Sequence, residues 1–329
     1  MPRPEGIFAC GPCRHCLPVF PLFPRCCEAA SNGKIDFVPD TGSERYMSEN
    51  TMATTQQKPR WLRKHFAIPS EHGAWAMWLG PFAVGLGIAW RFNLSVLWAL
   101  WAMLLLFLAR QPMIIFARAL SGRRSRSDAF PALIWLAIYG GLAVIPLTLL
   151  IGSGRSALLR LVLPAFPALA WQLWLVTRRA ERQMTVELAG SGALALAGPG
   201  AYYAATGHFD FTALFVWLLC WFQSAAAIVY VYLRLKQRRL PAVPTRQQLW
   251  AMGWRTLMYH AFNFAASVVL SVLRILPPLV PLAFAAMLAM AIHGTFRPAV
   301  GVKPQVLGFA QVGATVGFVV LLVLAYRLA

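Results

Sequence analysis

Charge is what this chain of 329 residues has least of: 12% of its residues are Asp, Glu, Lys or Arg, while 59% are hydrophobic. A water-soluble domain carries about a quarter charged residues, so the shortage excludes a soluble globule of this size. Acids are scarcer still. After Met52 only Glu71, Asp128, Glu181, Glu187 and Asp210 remain. Magnesium held through a diphosphate calls for one or two carboxylates, yet no aspartate-rich motif lies in either long polar loop. Also missing are a glycine-rich phosphate loop, an HExxH zinc motif and a nucleophile elbow. No metal site and no cofactor are expected.

Cysteine is nearly confined to the start of the chain, where Cys10, Cys13, Cys16, Cys26 and Cys27 leave only Cys220 for the rest. The Cys10–Cys13 pair is spaced like a redox motif, and with Cys16 could ligate zinc or an iron–sulfur cluster. Neither reading has its context, since no βαβ pattern and no second ligand pair follow. Residues 1–65, rich in Cys, Pro and Arg and without periodicity, read as a disordered or wrongly assigned extension, with Met47 and Met52 as alternative starts. Residues 66–329 read as one transmembrane helical domain.

Runs of about 18 or more apolar residues recur, each long enough for a hydrocarbon core about 30 Å thick. The predicted spans are 73–91, 93–111, 129–151, 157–177, 186–206, 211–233, 257–273, 275–293 and 306–326. The second is expected to continue past Pro112 to Ser121-Gly122, and a turn at Arg274 must separate the seventh from the eighth. The fold class is therefore all-α, a polytopic bundle of about nine spans. The net charge of +19 sits in short clusters between these runs, without the interleaved exposed aromatics of a base-stacking surface. Membrane topology and anionic headgroups explain it better than nucleic acid. With the N-terminus inside and the C-terminus outside, every basic residue after Met52 except Arg91, Arg155, Arg160, Arg274 and Arg327 falls on the cytoplasmic side, as the positive-inside rule demands.

Two long basic segments, Arg110 to Asp128 and Arg234 to Arg255, lie four helices apart. The spans opening each block share a Gly-Pro break, at Gly80-Pro81 and Gly198-Pro199, preceded by Glu71 and Glu187. A four-helix parallel duplication with an extra ninth helix would give that pattern. The Gly313–Gly317 pair in the ninth span would permit close helix packing.

Ionised groups in lipid cost several kcal/mol unless paired, so the few polar groups near the spans are the ligand-binding candidates. Glu71 and His72 stand at the mouth of the first span, either as a helix-start pair or facing a polar cavity. Arg110 and Gln111 precede Pro112. Glu187 lies just inside the fifth span, with Arg110, Arg178 and Arg234 at the same level as possible partners. His260 and Asn263 occupy adjoining faces of the seventh span, and Gln172, Gln223, His293 and Gln311 add to a polar interior. Each is equally readable as an interhelical hydrogen bond. Asp128 and Asp210 read as loop or capping residues.

Glu71-His72-Gly73-Ala74-Trp75, followed by Gly80-Pro81, resembles the opening of the YwiC-like family of bacterial integral membrane proteins. The resemblance extends through Arg110-Gln111-Pro112, the Arg182-to-Glu187 stretch and the basic end of the sixth span near Arg234. It implies a multi-pass protein of the bacterial cytoplasmic (inner) membrane whose activity is not established. In topology alone the chain is similar to the UbiA-type intramembrane prenyltransferases, but it departs from their Asp-rich motifs completely.

Three functions follow as expectations. The first is a membrane-embedded protein that binds or transports an anionic solute or lipid headgroup at a basic cytoplasmic vestibule. The second is a UbiA-like transferase without the Asp-rich motifs. The third is a non-catalytic scaffold subunit. The sequence does not decide between enzyme and transporter. Expected partners are membrane lipids, anionic headgroups and a small anionic or lipid-phosphate ligand, not nucleic acid.

Overall fold

The computed structural model describes residues 64–67, 72–178 and 184–329. The cysteine-rich start, Glu71, Arg179, Glu181 and Arg182 lie outside the described residues. Every regular element among the described residues is helical. After one turn, α1 (Lys64–Ala67), come α2 (His72–Ala89), α3 (Leu94–Leu120), α4 (Ala129–Gly152), α5 (Val162–Thr177), α6 (Met184–Ala195) and α7 (Ala197–Thr206). They are followed by α8 (Phe211–Arg238), α9 (Arg246–Val272), α10 (Val280–Phe296) and α11 (Pro304–Arg327).

These helices occupy the nine predicted positions, with α6 and α7 sharing the fifth. The segments Leu94–Leu120, Arg126–Gly152, Ser156–Thr177, Phe211–Arg238 and Pro304–Arg327 are long and apolar enough to cross a membrane, and Gly73–Ala89 and Val280–Phe296 are shorter apolar helices. A chain in lipid must satisfy its backbone internally, which helices do and loops do not. The molecule is a helical membrane bundle.

Local chemistry accounts for the boundaries. Asn93 caps α3 by accepting from the Val96 amide, and Asp210 caps α8 by accepting from that of Ala213. The expected turn at Arg274 is present as a left-handed residue with φ 57°. Pro112 does not interrupt α3, which runs on to Leu120 as predicted. The fifth position is divided because Pro199 has no N–H to give Ala195 and its ring crowds that carbonyl. Leu196 then bonds Ala193 instead, and the Gly192 carbonyl accepts from Trp217 Nε1 at 2.9 Å. Four boundaries differ from the prediction by five residues or more. α5 starts at Val162, not 157, and α8 ends at Arg238, not 233. α9 starts at Arg246, not 257, and α10 at Val280, not 275, after Pro277 and Pro278.

α9 turns its polar side inward. Leu249, Gly253, Thr256, His260, Asn263 and Ser267 are buried at alternating spacings of four and three, while Trp250, Trp254, Met258, Phe262, Val269 and Val272 are exposed. A helix in water has the reverse arrangement. Polar side chains facing the bundle and large apolar ones facing out is the arrangement that lipid imposes.

The expectation for Gly313 and Gly317 is not met among the described residues: a Cβ at either would meet nothing within 4 Å. α11 packs instead through Thr315, Phe318, Val319 and Val323, against Gly80, Phe284 and Gly87.

Candidate functional site

Side-chain bonds sort the helix ends into two groups. Arg123 donates to the Val176 and Thr177 carbonyls, tying the end of α3 to that of α5. Tyr232, late in α8, donates to Glu187 Oε1 in the first turn of α6 at 3.0 Å. Arg234 Nη1 donates to the Gly294 and Arg297 carbonyls at the end of α10, both at 2.6 Å, and to Gln237 Oε1 at 2.9 Å. Arg238 Nε donates to the Val302 carbonyl before α11 at 3.1 Å. The ends of α3, α5, α8 and α10 and the starts of α6, α9 and α11 therefore share one end of the bundle.

At the opposite end Asn93 donates to the Ala205 carbonyl, Tyr202 donates to Asp210, and Arg327 lies over the Trp90 ring. Arg91, Arg155, Arg160, Arg274 and Arg327 belong to this end, and the other described basic residues cluster at the first. That basic end carries Lys236, Arg239, Arg246, Arg297 and Lys303 with exposed side chains, above helices α8 to α11. No Asp or Glu follows Asp210 in the sequence. Helices α8 to α11 carry no acidic side chain of their own; the described acids at this end are Asp128, paired with Arg124, and Glu187, bonded to Tyr232 of α8.

The candidate residues divide into separate neighbourhoods. Arg110 Nε donates to Gln172 Oε1 across α3 and α5 at 3.3 Å. The Gln172 amide also lies next to Gly190, whose added Cβ would be 3.9 Å from it. Glu187 is one turn from Gly190 on α6, so the Arg110–Gln172 pair and the Tyr232–Glu187 pair meet α6 at neighbouring turns. Gln111 is half-buried on α3 next to Arg110. Arg234 faces away from these pairs, toward α10, and its described bonds hold the end of that helix; the described bond of Glu187 is the one from Tyr232. Glu71 and the His72 side chain lie outside the described part.

His260 and Asn263 share the buried stripe of α9, each 2% exposed. The ring nitrogen Nδ1 of His260 donates to the Thr256 carbonyl at 2.8 Å, which leaves Nε2 as the acceptor in the neutral tautomer. Tyr230 stands edge-on to this ring at 6.4 Å and beneath the Arg234 guanidinium, 5.9 Å from its centroid. Asn263 Nδ2 donates to the Phe222 carbonyl at 3.1 Å, while its Oδ1 is buried without a partner.

Sequence reasoning passed over Gln237, which is fully buried and donates to the Gly294 and Thr295 carbonyls at 3.2 Å. It also passed over Tyr232 and Thr256. Gln237 lies one turn beyond Arg234, and Thr256 one turn before His260; helical spacing from the chosen residues would have found both.

Apolar helices turned outward, a polar interior and a basic end define a multi-pass helical membrane protein. Residues 68–202 match the family model described as YwiC-like protein, so the stretch from α2 into α7 is YwiC-like. No curated protein and no solved structure matches.

Proposed function

We propose that this protein binds or transports an anionic solute or lipid headgroup at its basic end, which faces the bacterial cytoplasm. One observation carries the reading: exposed Lys236, Arg239, Arg246, Arg297 and Lys303 crown four helices whose sequence contains no carboxylate side chain. Like charges that outnumber the fixed acids beside them attract mobile anions and anionic headgroups. Arg110, Gln172 and Glu187 beneath supply polar contacts in the adjoining part of the bundle. Arginine can grip a phosphate or carboxylate through two parallel bonds, without metal. The positive-inside rule supports the cytoplasmic orientation.

The test is mass spectrometry of lipids and small anions carried by protein purified in native lipid. Unaltered protein is compared with Arg239→Gln/Arg246→Gln/Lys303→Gln and with Arg110→Ala. A specific anion or anionic lipid is expected with the unaltered chain and at least tenfold less with the triple variant. Equal retention by both overturns the reading. An isoprenyl diphosphate as the carried species would favour a transferase over a transporter.

A further inference from the structure

The polar groups so far lie between α3 and α5 and around α8 with its contacts to α6, α9 and α10. A different set lies between α2, α8 and α11. There a small cavity of about 10 Å³, the space of one water molecule, is lined by Gly80, Pro81, Cys220, Gln223, Thr315 and Phe318 among others. It sits close to mid-membrane: Gly80 is eight residues into α2, about 12 Å along a helix rising 1.5 Å per residue.

Three polar features converge on this level. Gln223 is 6% exposed and reaches the cavity with its carboxamide-bearing side chain. Pro81 gives the Met77 carbonyl no helical N–H. One turn from Thr315, toward the basic end, Gln311 has both Nε2 and Oε1 buried with no hydrogen-bond partner. Gln311, Thr315, Phe318 and Leu322 follow one stripe of α11, spaced four, three and four. Its inner half is sealed, with Phe318 2% and Leu322 0% exposed. Its outer half runs toward the basic end past glycines that meet no side chain: a Cβ on Gly73 of α2 or on Gly308 of α11 would have nothing within 4 Å among the described residues.

A buried carboxamide left unpaired, as Gln311 is, is costly, and native proteins satisfy such groups with ordered water where the site is polar and has room. We propose that α2, α8 and α11 enclose a hydrated crevice that opens at the basic end. Gln311 is its first polar station, and the Gln223–Thr315 cavity is its inner end. The crevice is a site for water and for small uncharged hydrogen-bonding solutes, since its described polar lining is carboxamide, hydroxyl and thiol. The inference does not rest on anion binding by the surface cations; either can fail while the other stands.

Cysteine accessibility tests it in full-length protein in native membranes, with the six native cysteines replaced. The probe is 2-hydroxyethyl methanethiosulfonate, which is small, uncharged and reacts with a thiolate in contact with water. Gln311→Cys and Thr315→Cys are expected to react at least tenfold faster than Val316→Cys and Val320→Cys, whose positions face outward on the same helix. Gln311→Cys as slow as Val316→Cys overturns the crevice. On the unaltered chain, radiolytic hydroxyl footprinting gives an independent reading that needs no substitution. Phe318, which lines the cavity, should be oxidised at least fivefold faster than Phe107, which is 5% exposed in another cluster. Equal rates count against a water site there.

Discussion

Gly85 of α2 lies against the carbonyl oxygen of Gly198 in α7 so closely that a Cβ added to Gly85 would stand 2.0 Å from it. Gly198 is held in turn between Val216 and the Pro81 carbonyl, at 2.9 and 3.2 Å from its own added Cβ. The two Gly-Pro breaks anticipated as copies of one another are thus packed together, backbone to backbone, where α2 crosses α7.

The obstacle to a Cβ at Gly85 is backbone, which no side-chain rotation relieves. Gly85→Ala is expected to push the helices apart and to destabilise by about 1–3 kcal/mol, the usual range for overpacking. A thermal unfolding series in detergent checks this. Gly140→Ala on α4, where an added Cβ meets nothing within 4 Å, should leave the midpoint unchanged or raise it slightly.

A second close approach has a side chain on one side and so permits a rescue. A Cβ on Gly253 of α9 would stand 2.2 Å from Thr295 Cγ2 on α10. Gly253→Ala should lower stability on its own, and Thr295→Ala in the same chain should restore part of it. Non-additivity of about 1 kcal/mol or more is expected in the double-mutant cycle, as for residues in direct contact. Additive losses would mean that the two helices do not meet at this point.

Arg234 was a ligand candidate on the strength of its charge and level, yet its described bonds close the end of α10. Hydrogen bonds to charged groups contribute about 1.5–3 kcal/mol. Arg234→Ala should therefore lower the unfolding midpoint and raise amide exchange at residues 294–299. Unchanged exchange in that segment would return Arg234 to the ligand-binding set.

The span pattern was legible in the sequence because a bilayer imposes a length on apolar runs, and Arg274 had to turn because no membrane helix could run through both flanking spans. What stayed hidden is instructive. The start of α9 was placed late because Arg255 and its polar neighbours depress hydropathy, although Thr245 and Gln248 form a reciprocal capping box that the spacing Thr-x-x-Gln already offered. The polar candidates were found as residue types, but not their grouping. Arg110 meets Gln172 sixty-two positions away, and Arg234 and Tyr232, two residues apart on α8, serve different neighbours. Only the packing of the helices decides such pairings.

The orientation of α9 supplies the sharpest test of its surroundings. Met258 is 61% exposed near the middle of this helix, whereas Ser267 on the inner stripe is 1% exposed. Were the outer face in water, Met258→Asp would be harmless, since exposed apolar positions accept charge within about 0.5 kcal/mol. In lipid the same carboxylate costs about 2.5–3.5 kcal/mol at a helix centre. Ser267 bonds the Phe264 carbonyl of its own helix, and even an interhelical hydrogen bond in a membrane contributes only about 0.6 kcal/mol on average. Met258→Asp is therefore expected to cut membrane-assembled protein severely and Ser267→Ala to leave it nearly unchanged, as read by size-exclusion profiles of detergent extracts. The opposite ranking would place the polar stripe outward and remove the principal reason for counting α9 among the membrane helices.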